Sequence, residues 1–259
     1  MRSSRKLAAV LAVRLSSTRL FGKPLQNIDV QTQRSILRHL VECVRSTGCV
    51  DEIVLGVAKG SGNEIYEGVA KELGIKAIYG PEDDVLLRLI ACGEATDATD
   101  VLRLSSESPF LYFEALECGW DEYRTSGLDA MFLDNIIDGC GFEILSLDAL
   151  RRSHAEATKP DHFEHCSMYI RENHEAFNAI QVPGPTHLDR RDLRLTVDTP
   201  EDLVICRHIY TALKCASPRI PLEDIVKYLD ANPHLIALTA PLAQAGYASM
   251  FLWSQGDET

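Results

Sequence analysis

The run Ala12-Val13-Arg14-Leu15-Ser16-Ser17-Thr18-Arg19-Leu20-Phe21-Gly22-Lys23-Pro24-Leu25 is the most informative part of this chain. An apolar segment, Leu7–Val13, leads straight into it and has the length and flanks of a strand buried on both faces. Loop chemistry follows. Arg14, Arg19 and Lys23 fall within ten positions, with hydroxyls, a glycine and a proline among them. Open α/β sheets bind ligands outside the carboxyl ends of their strands, and this loop stands at such an end. Its composition suits a polyphosphate: arginine forks grip phosphate oxygens in pairs, lysine adds a point charge, and backbone N–H groups supply more donors. A basic surface loop that only closes a βα unit would carry the same charges, so charge alone leaves both readings open.

Outward from the loop, the chain alternates helix and strand. The spacing predicts helices over 33–46, 63–73 and 84–94, and strands over 53–57, 75–79 and 101–104. Gly74 has the place of a C′ glycine that stops the second helix. Strands separated by single helices demand right-handed crossovers and a parallel sheet covered on both faces. The second half is less regular. Strands are expected over 130–133, 142–145, 177–182 and 193–197, and helices over 147–157, 161–172, 200–213 and 221–230. Pro183-Gly184-Pro185 is a breaker, and Pro200 suits a first helical turn. With no linker or repeat in view, residues 1–259 read as a single domain with an inserted flap over about 134–190.

The 259 residues are 46% hydrophobic and 25% charged, as in an ordinary soluble globular protein. A formal net charge of −12 argues against a general nucleic-acid or membrane-surface binder, since both need a basic face. A local basic pocket on an acidic body still suits a nucleotide. No apolar run approaches the roughly 20 residues that span a bilayer. The basic opening Met1-Arg2-Ser3-Ser4-Arg5-Lys6 has the outward form of a leader, but Arg14 and its loop follow the apolar run at once, so we read it as part of the domain. Eight cysteines contain no C-x-x-C pair; neither zinc nor a disulfide framework is expected, and the cytoplasm is the expected compartment.

Four further segments carry chemistry. Gly80-Pro81-Glu82-Asp83-Asp84-Val85-Leu86-Leu87-Arg88 follows a predicted strand, and its acids suit a helix N-terminus. Arg103-Leu104-Ser105-Ser106-Glu107-Ser108-Pro109-Phe110 follows the next strand. Gly139-Cys140-Gly141-Phe142-Glu143-Ile144-Leu145-Ser146 places Glu143 on a strand, with solvent and pocket both open to it. Leu195-Thr196-Val197-Asp198-Thr199-Pro200-Glu201-Asp202-Leu203 joins a predicted strand to a helix start, with Asp198 at the strand end. His162 and His165 have i, i+3 spacing, but no third ligand stands near them in sequence, so no zinc site is proposed.

The first loop resembles the signature R-x-S-S-T-R-L-P-G-K-P-L of the sugar-activating cytidylyltransferases, the spore-coat polysaccharide and 3-deoxy-manno-octulosonate cytidylyltransferase groups. Phe21 stands where that signature has proline. The Gly80–Arg88 segment resembles their G-s-E-D-D-V-L-x-R, which lies against the base. The Arg103–Phe110 segment resembles R-x-T-G-D-x-P-x, with Glu107 in place of the magnesium-binding aspartate and Ser106 in place of glycine. Leu195–Leu203 matches L-T-V-D-T-P-E-D-L throughout. Gly139–Ser146 resembles a segment lining the sugar pocket. The run from Phe163 to Ile170 resembles R-E-H-V-T-x-Y-I, with Phe163 in place of the arginine.

The resemblance implies an α/β, Rossmann-like three-layer nucleotidyltransferase fold with a mostly parallel sheet and an inserted dimerisation and acceptor flap. It implies a cytidylyl transfer from CTP to an acidic sugar, sugar phosphate or related acceptor, with loss of pyrophosphate. Arg14, Arg19 and Lys23 would hold the triphosphate. Ala12, Val13, Arg14, Leu15, Ser16, Gly80, Glu82, Asp83, Asp84, Val85 and Arg103 would form the nucleotide site. Mg²⁺ would sit on Glu107 and Asp198, the acceptor on Glu143 and His165, and the chain would form a homodimer. Two other classes stay open: a nucleotide-binding protein without catalysis, motivated by Glu107 and Phe163, and a glycosyltransferase, for which Asp83-Asp84 lacks D-x-D spacing. A purine-type sugar nucleotidyltransferase is a further alternative, but its glycine-rich first loop is missing here.

Overall fold

Leu7–Val13 forms β1, and every residue of it but Ala12 is buried, as its apolar run requires. The structure, a computed structural model, describes residues 5–249; residues 1–4 of the basic N-terminal segment and residues 250–259 lie outside it. A two-strand ribbon follows, β2 (Asn27–Asp29) and β3 (Arg34–Ser35), then α1 (Ile36–Arg45), β4 (Glu52–Ala58), α2 (Ile65–Leu73), β5 (Lys76–Gly80), α3 (Val85–Ala95) and β6 (Asp100–Ser105). The second half holds α4 (Leu116–Ser126), β7 (Ala130–Leu133), β8 (Phe142–Ser146), α5 (Leu147–Glu156), α6 (Pro160–Glu164), α7 (Met168–Glu172), β9 (Ala179–Gln181), α8 (Pro200–Leu213), α9 (Leu222–Asp230) and α10 (Pro233–Ser249).

The main sheet has the order β5-β4-β1-β6-β8-β7-β9. β8 is antiparallel to β6 and β7, while every other pairing is parallel, so β8 alone runs against the rest. This is the α/β, Rossmann-like architecture expected from the sequence. Along β1 the side chains alternate: Leu7, Ala9, Leu11 and Val13 enter one apolar layer and Val10 enters the other. The chain moves from β1 to β4 and β5, then crosses back to place β6 on the other side of β1. That reversal opens a crevice at the carboxyl ends of β1 and β6, where Ala12 stands opposite Ser105.

Several local expectations change. Residues 193–197 do not form a strand; one bridge links Arg194 to Asp138. Leu193, Leu195 and Val197 are buried as alternation required. Their backbone serves two separate loops, however: Leu195 N–H donates to Asp138 O at 2.8 Å and Val197 N–H to Glu107 O at 3.0 Å, so no ladder forms. Gly139, at φ +88°, makes room for this segment, since a Cβ there would lie 2.5 Å from Thr196 N. The helix expected over 161–172 is two short helices, α6 and α7; His165 leaves helical geometry at ψ 72°. The strand expected over 177–182 is β9, paired with β7. Ser35 caps α1 by accepting from Arg38 N at 3.1 Å, which starts that helix three residues later than expected. All eight cysteines are free, and Cys43, Cys92, Cys140, Cys166 and Cys206 are buried.

Candidate active site

The first loop is tied down from below. Leu15 N–H donates to Asn63 Oδ1 at 2.8 Å, and the Tyr66 hydroxyl donates to Arg14 O at 3.1 Å. Gly22, at φ 59°, donates its N–H to Leu15 O at 2.9 Å and closes the loop upon itself. Leu15 therefore packs against the apolar layer, while Ala12, Val13, Arg14, Ser16 and Lys23 line a cleft together with Val85, Glu107 and Arg103. The Ser106 hydroxyl donates to Ala12 O at 2.8 Å and joins the two strand ends beneath that cleft. Phe21 projects outward and is exposed.

The segment after β5 lies beside the loop. Ser16 Oγ donates to Glu82 Oε1 at 2.8 Å. Asp84 caps α3 as expected, its Oδ1 accepting from Leu87 N at 2.7 Å, and its Oδ2 meets His154 Nε2 at 2.9 Å. Phe163 sets its ring edge-on to His154 at 5.3 Å. Glu82 and Asp83 are exposed and Gly80 is buried.

Asp198 is reached from three sides. Lys23 Nζ and an Arg194 guanidinium nitrogen bond its two carboxylate oxygens, and Arg19 stands 3.4 Å away. Burial alone would raise its pKa, but these cations outweigh burial and hold the carboxyl below the usual range. Arg194 is itself buried and also pairs with Asp138 and with Asp202, whose Oδ1 lies 3.2 Å from Arg194 Nε. Asp202 spends its other oxygen on the N–H groups of Asp198 and Thr199, at 3.0 and 2.9 Å. Asp198 and Glu107 come from distant parts of the chain, and the bond from Val197 N–H to Glu107 O joins their two segments. The Glu107 carboxylate lies 3.1 Å from Ser106 Oγ, whose proton it shares with Ala12 O.

A second polar cluster surrounds Glu143 on β8. Its Oε1 accepts from Ser167 Oγ at 3.0 Å and from Arg171 Nη2 at 2.8 Å, with Arg103 Nη1 at 3.6 Å. Arg171 also pairs with Asp134, which Gln181 holds from its other side at 2.6 Å. Burial pushes the Glu143 pKa up and the two arginines push it down further, so the carboxylate stays ionised. Its Oε2 is buried with no hydrogen-bond partner among the described residues. Three clefts meet here, and Arg103 and His165 line all of them.

The structure thus gathers Arg14, Arg19, Lys23, Arg103, Glu107, Glu143, His165 and Asp198 around adjoining clefts. Sequence reading missed Arg194 and Arg171, which hold Asp198 and Glu143. Arg194 stands four residues before Asp198, but that spacing carries meaning only within a helix, and this segment is not one. Arg88, at the end of the Gly80–Arg88 motif, also lines the cleft of the first loop. No group of three or more histidine, cysteine or acidic side chains suited to a metal occurs among the described residues. No helix of the described residues is long and apolar enough to cross a membrane.

Comparison with known proteins places this arrangement. An uncharacterized protein of Methanocaldococcus jannaschii is 26% identical over 243 residues, covering 93% of this chain and 98% of that protein. The spore coat polysaccharide biosynthesis protein SpsF of Bacillus subtilis is 26% identical over 230 residues, covering 86% and 94%. Among solved structures, a cytidylyltransferase from Leptospira borgpetersenii superposes with a TM-score of 0.81 at 22% identity, over 90% of this chain and 97% of that one. The family model for cytidylyltransferases matches residues 8–230, which takes in the first loop, both polar clusters and the Asp198 segment. This chain belongs to the cytidylyltransferase family and is a CTP-dependent nucleotidyltransferase.

Proposed function

We propose that the chain transfers a cytidylyl group from CTP to an oxygen of an anionic acceptor: an acidic sugar, a sugar phosphate, or a related phosphate or phosphonate. The acceptor oxygen bonds to the α-phosphorus of CTP, the bond to the β-phosphate oxygen breaks, and pyrophosphate leaves. The observation that carries this reading is the backbone bond from Val197 N–H to Glu107 O, which joins the Asp198 segment to the Glu107 loop near the reversal of strand order, with Lys23 and Arg19 on Asp198. The sugar character of the acceptor draws support from the polysaccharide role printed for the Bacillus relative.

Carboxylate oxygens are the hard donors that Mg²⁺ takes. Glu107 and Asp198 are the carboxylates that would hold it, with Lys23 and Arg19 turned from Asp198 to the triphosphate. Mg²⁺ held there with the nucleotide would supply charge neutralisation at the α-phosphate. The protein's own groups do the rest. Arg14, Arg19 and Lys23 grip the triphosphate and stabilise the departing pyrophosphate. Ala12, Val13, Leu15, Ser16 and the segment Gly80, Glu82, Asp83, Asp84 and Val85 enclose the nucleoside. Arg194 keeps Asp198 ionised and aimed at the crevice. Arg103, Glu143 and His165 stand where the three clefts meet and orient the acceptor, Glu143 Oε2 taking a hydroxyl donor.

Pyrophosphate release measured with Mg²⁺, each of the four NTPs and a panel of acidic sugars, sugar phosphates, polyol phosphates and phosphonates tests the proposal. Release with CTP and one acceptor is expected, reduced by at least about 10²-fold in Asp198→Ala. CTP binding without release by any acceptor, unchanged by Glu107→Asp, would instead favour a nucleotide-binding protein without catalysis.

A further inference from the structure

α10 begins at Pro233, beyond the residues 8–230 that the family model matches, so that match does not account for its place in the site. The helix is anchored towards both ends. Near its start, Leu235 is buried in the apolar core. Near its end, the Tyr247 hydroxyl donates to Ile136 O at 3.0 Å and accepts from Asp138 N–H at 2.9 Å. Ile136 and Asp138 lie between β7 and β8, and Asp138 is a partner of Arg194, so one hydroxyl fastens α10 to the acidic cluster. Gly246 shows how close the approach is. Glycine inside a helix is destabilising relative to alanine, so its place one residue before Tyr247 has a reason. A Cβ there would lie 2.5 Å from Arg194 Nη1 and 3.1 Å from Asp138 Oδ2. Both groups are pinned in buried ion pairs and have little freedom to step aside. The backbone of α10 therefore rests directly on the network that holds Asp198.

Leu242, Ala245 and Gly246 line a cleft of about 520 Å³ together with Asp138, Arg194 and Asp198. Among the described residues, this cleft shares only Arg103 and His165 with the nucleotide cleft of Ala12, Ser16, Lys23 and Glu107. A smaller cavity of about 210 Å³ around Glu143 shares Asp138 and Thr196 with it as well, so the two are continuous. Glu143, whose Oε2 is buried without a partner among the described residues, lines that inner cavity. In phosphoryl transfer the attacking and leaving oxygens stand roughly in line across phosphorus. An acceptor therefore comes from a side away from the departing pyrophosphate, and a cleft that meets the nucleotide site only at its edge offers such a side.

We infer that α10 is the outer wall of the acceptor site, and that Ala245 and Gly246 set the bulk of the acceptor it admits. The inference rests on the cytidylyl transfer proposed above and adds to it an element that selects the acceptor. The reacting oxygen stands at Arg103 and His165, where the clefts meet. Hydroxyls next to it occupy the Glu143 cavity. The rest of the acceptor runs out along Ala245 and Gly246, where two small residues leave a gap that a larger side chain would close. A cleft lined by charged groups and by Leu242 and Ala245 suits a molecule with both hydroxyls and apolar C–H faces, as a sugar has.

Steady-state pyrophosphate release with CTP, Mg²⁺ and the panel of acidic sugars, sugar phosphates, polyol phosphates and phosphonates tests the inference on the wild type, Ala245→Trp and Gln244→Trp. Gln244 is exposed on the same helix and lines none of the three clefts, so its variant controls for added bulk. Ala245→Trp is expected to raise the KM of the panel member that the wild type uses best by roughly 10- to 100-fold, the scale on which a pocket rejects a misfit. Gln244→Trp is expected to leave it alone. CTP affinity, from calorimetry without acceptor, and the melting temperature are expected to hold in both variants. An acceptor KM that Ala245→Trp leaves unchanged overturns the inference. Weaker CTP binding in Ala245→Trp overturns it too, by putting the nucleotide against α10. So does weaker inhibition by inorganic pyrophosphate, which would give the cleft and Arg19 to the leaving group. Should Ala245→Trp fail to fold, Ala245→Leu gives the same reading. A wild type that releases no pyrophosphate with any panel member overturns the proposed function itself, which separates the two failures.

Discussion

The two halves of the site use arginine in opposite ways. Around the first loop, Arg14 and Arg19 are 45% and 58% exposed, and each has one long ion pair, to Glu164 at 3.5 Å and Asp198 at 3.4 Å. In the second half, Arg171 and Arg194 are 9% and 6% exposed, and each is closed on two or three carboxylates. The loop arginines are nearly unspent, so their charge is available to a ligand. The buried ones are spent on holding acids in place. The same residue type is therefore uncommitted on one side and scaffold on the other, and pairing tells them apart better than position in the motif does. Arg88 departs from both: it is buried, and its Nε and Nη1 have no hydrogen-bond partner among the described residues.

The largest effect should come from the scaffold. Arg194→Met leaves Asp138, Asp198 and Asp202 facing one another with no common cation. The pKa of Asp138 is already raised by burial despite Arg194, so it has no spare stabilisation. Breaking a buried ion network by removing one partner costs about 3–5 kcal/mol, and urea unfolding should show a loss of that size. A loss below about 1 kcal/mol would mean that the network is not structural and that the contrast drawn above fails.

Next comes a test of where acid attacks the molecule. His39 on α1 is buried against Phe110 and Tyr210, and burial lowers its pKa to about 4 from an ordinary 6.5. Between those two values the unfolded chain binds the proton and the folded chain does not. Stability is thus fully present above about pH 6.5 and is lost as pH falls towards 4, by up to about 3 kcal/mol. Glu143 and Asp198 have lowered pKa values, so their contribution disappears only at still lower pH, as the pH falls through those values. Acid sensitivity should therefore begin in the parallel half, not in the carboxylate clusters. Stability measured from pH 7 to 4 in His39→Leu should be flat where the wild type slopes; an equal slope in both places the sensitivity elsewhere.

What the sequence showed and hid follows from the kind of partner each segment has. β1 and its loop were legible because an unbroken apolar run and a Gly-Lys-Pro turn are local signals. The Asp198 segment was legible as a site but not as structure. Its alternation at Leu193, Leu195 and Val197 is real and all three are buried, yet its backbone partners are Glu107 and Asp138, far away in sequence. α4, absent from the expected helices, carries a stripe of Leu116, Trp120 and Tyr123 at helical spacing. α10 is apolar nearly all round and contains Pro241, so it offered no stripe to read. The roles of Arg171 and Arg194 depend on tertiary pairing, and spacing has no way to express that.

The smallest expected effect on stability is also the sharpest test of the contrast. Arg14→Ala removes a half-exposed guanidinium whose ion pair to Glu164 is long and screened by solvent. Exposed pairs of this kind contribute about 0–1 kcal/mol, so the melting temperature should barely move. The loop itself should stay in place, because the Arg14 carbonyl, not its side chain, is what Tyr66 holds. If the side chain is held ready for phosphate, CTP affinity falls by about 1.5–3 kcal/mol, the range for a hydrogen bond to a charged group. Added salt should weaken the wild type more than the variant, since the variant has less charge to screen. Calorimetry and melting curves on one sample give both numbers. A variant that loses stability as Arg194→Met does, and keeps its CTP affinity, would make Arg14 scaffold as well, and the first loop would then owe its basic character to folding instead of to the ligand.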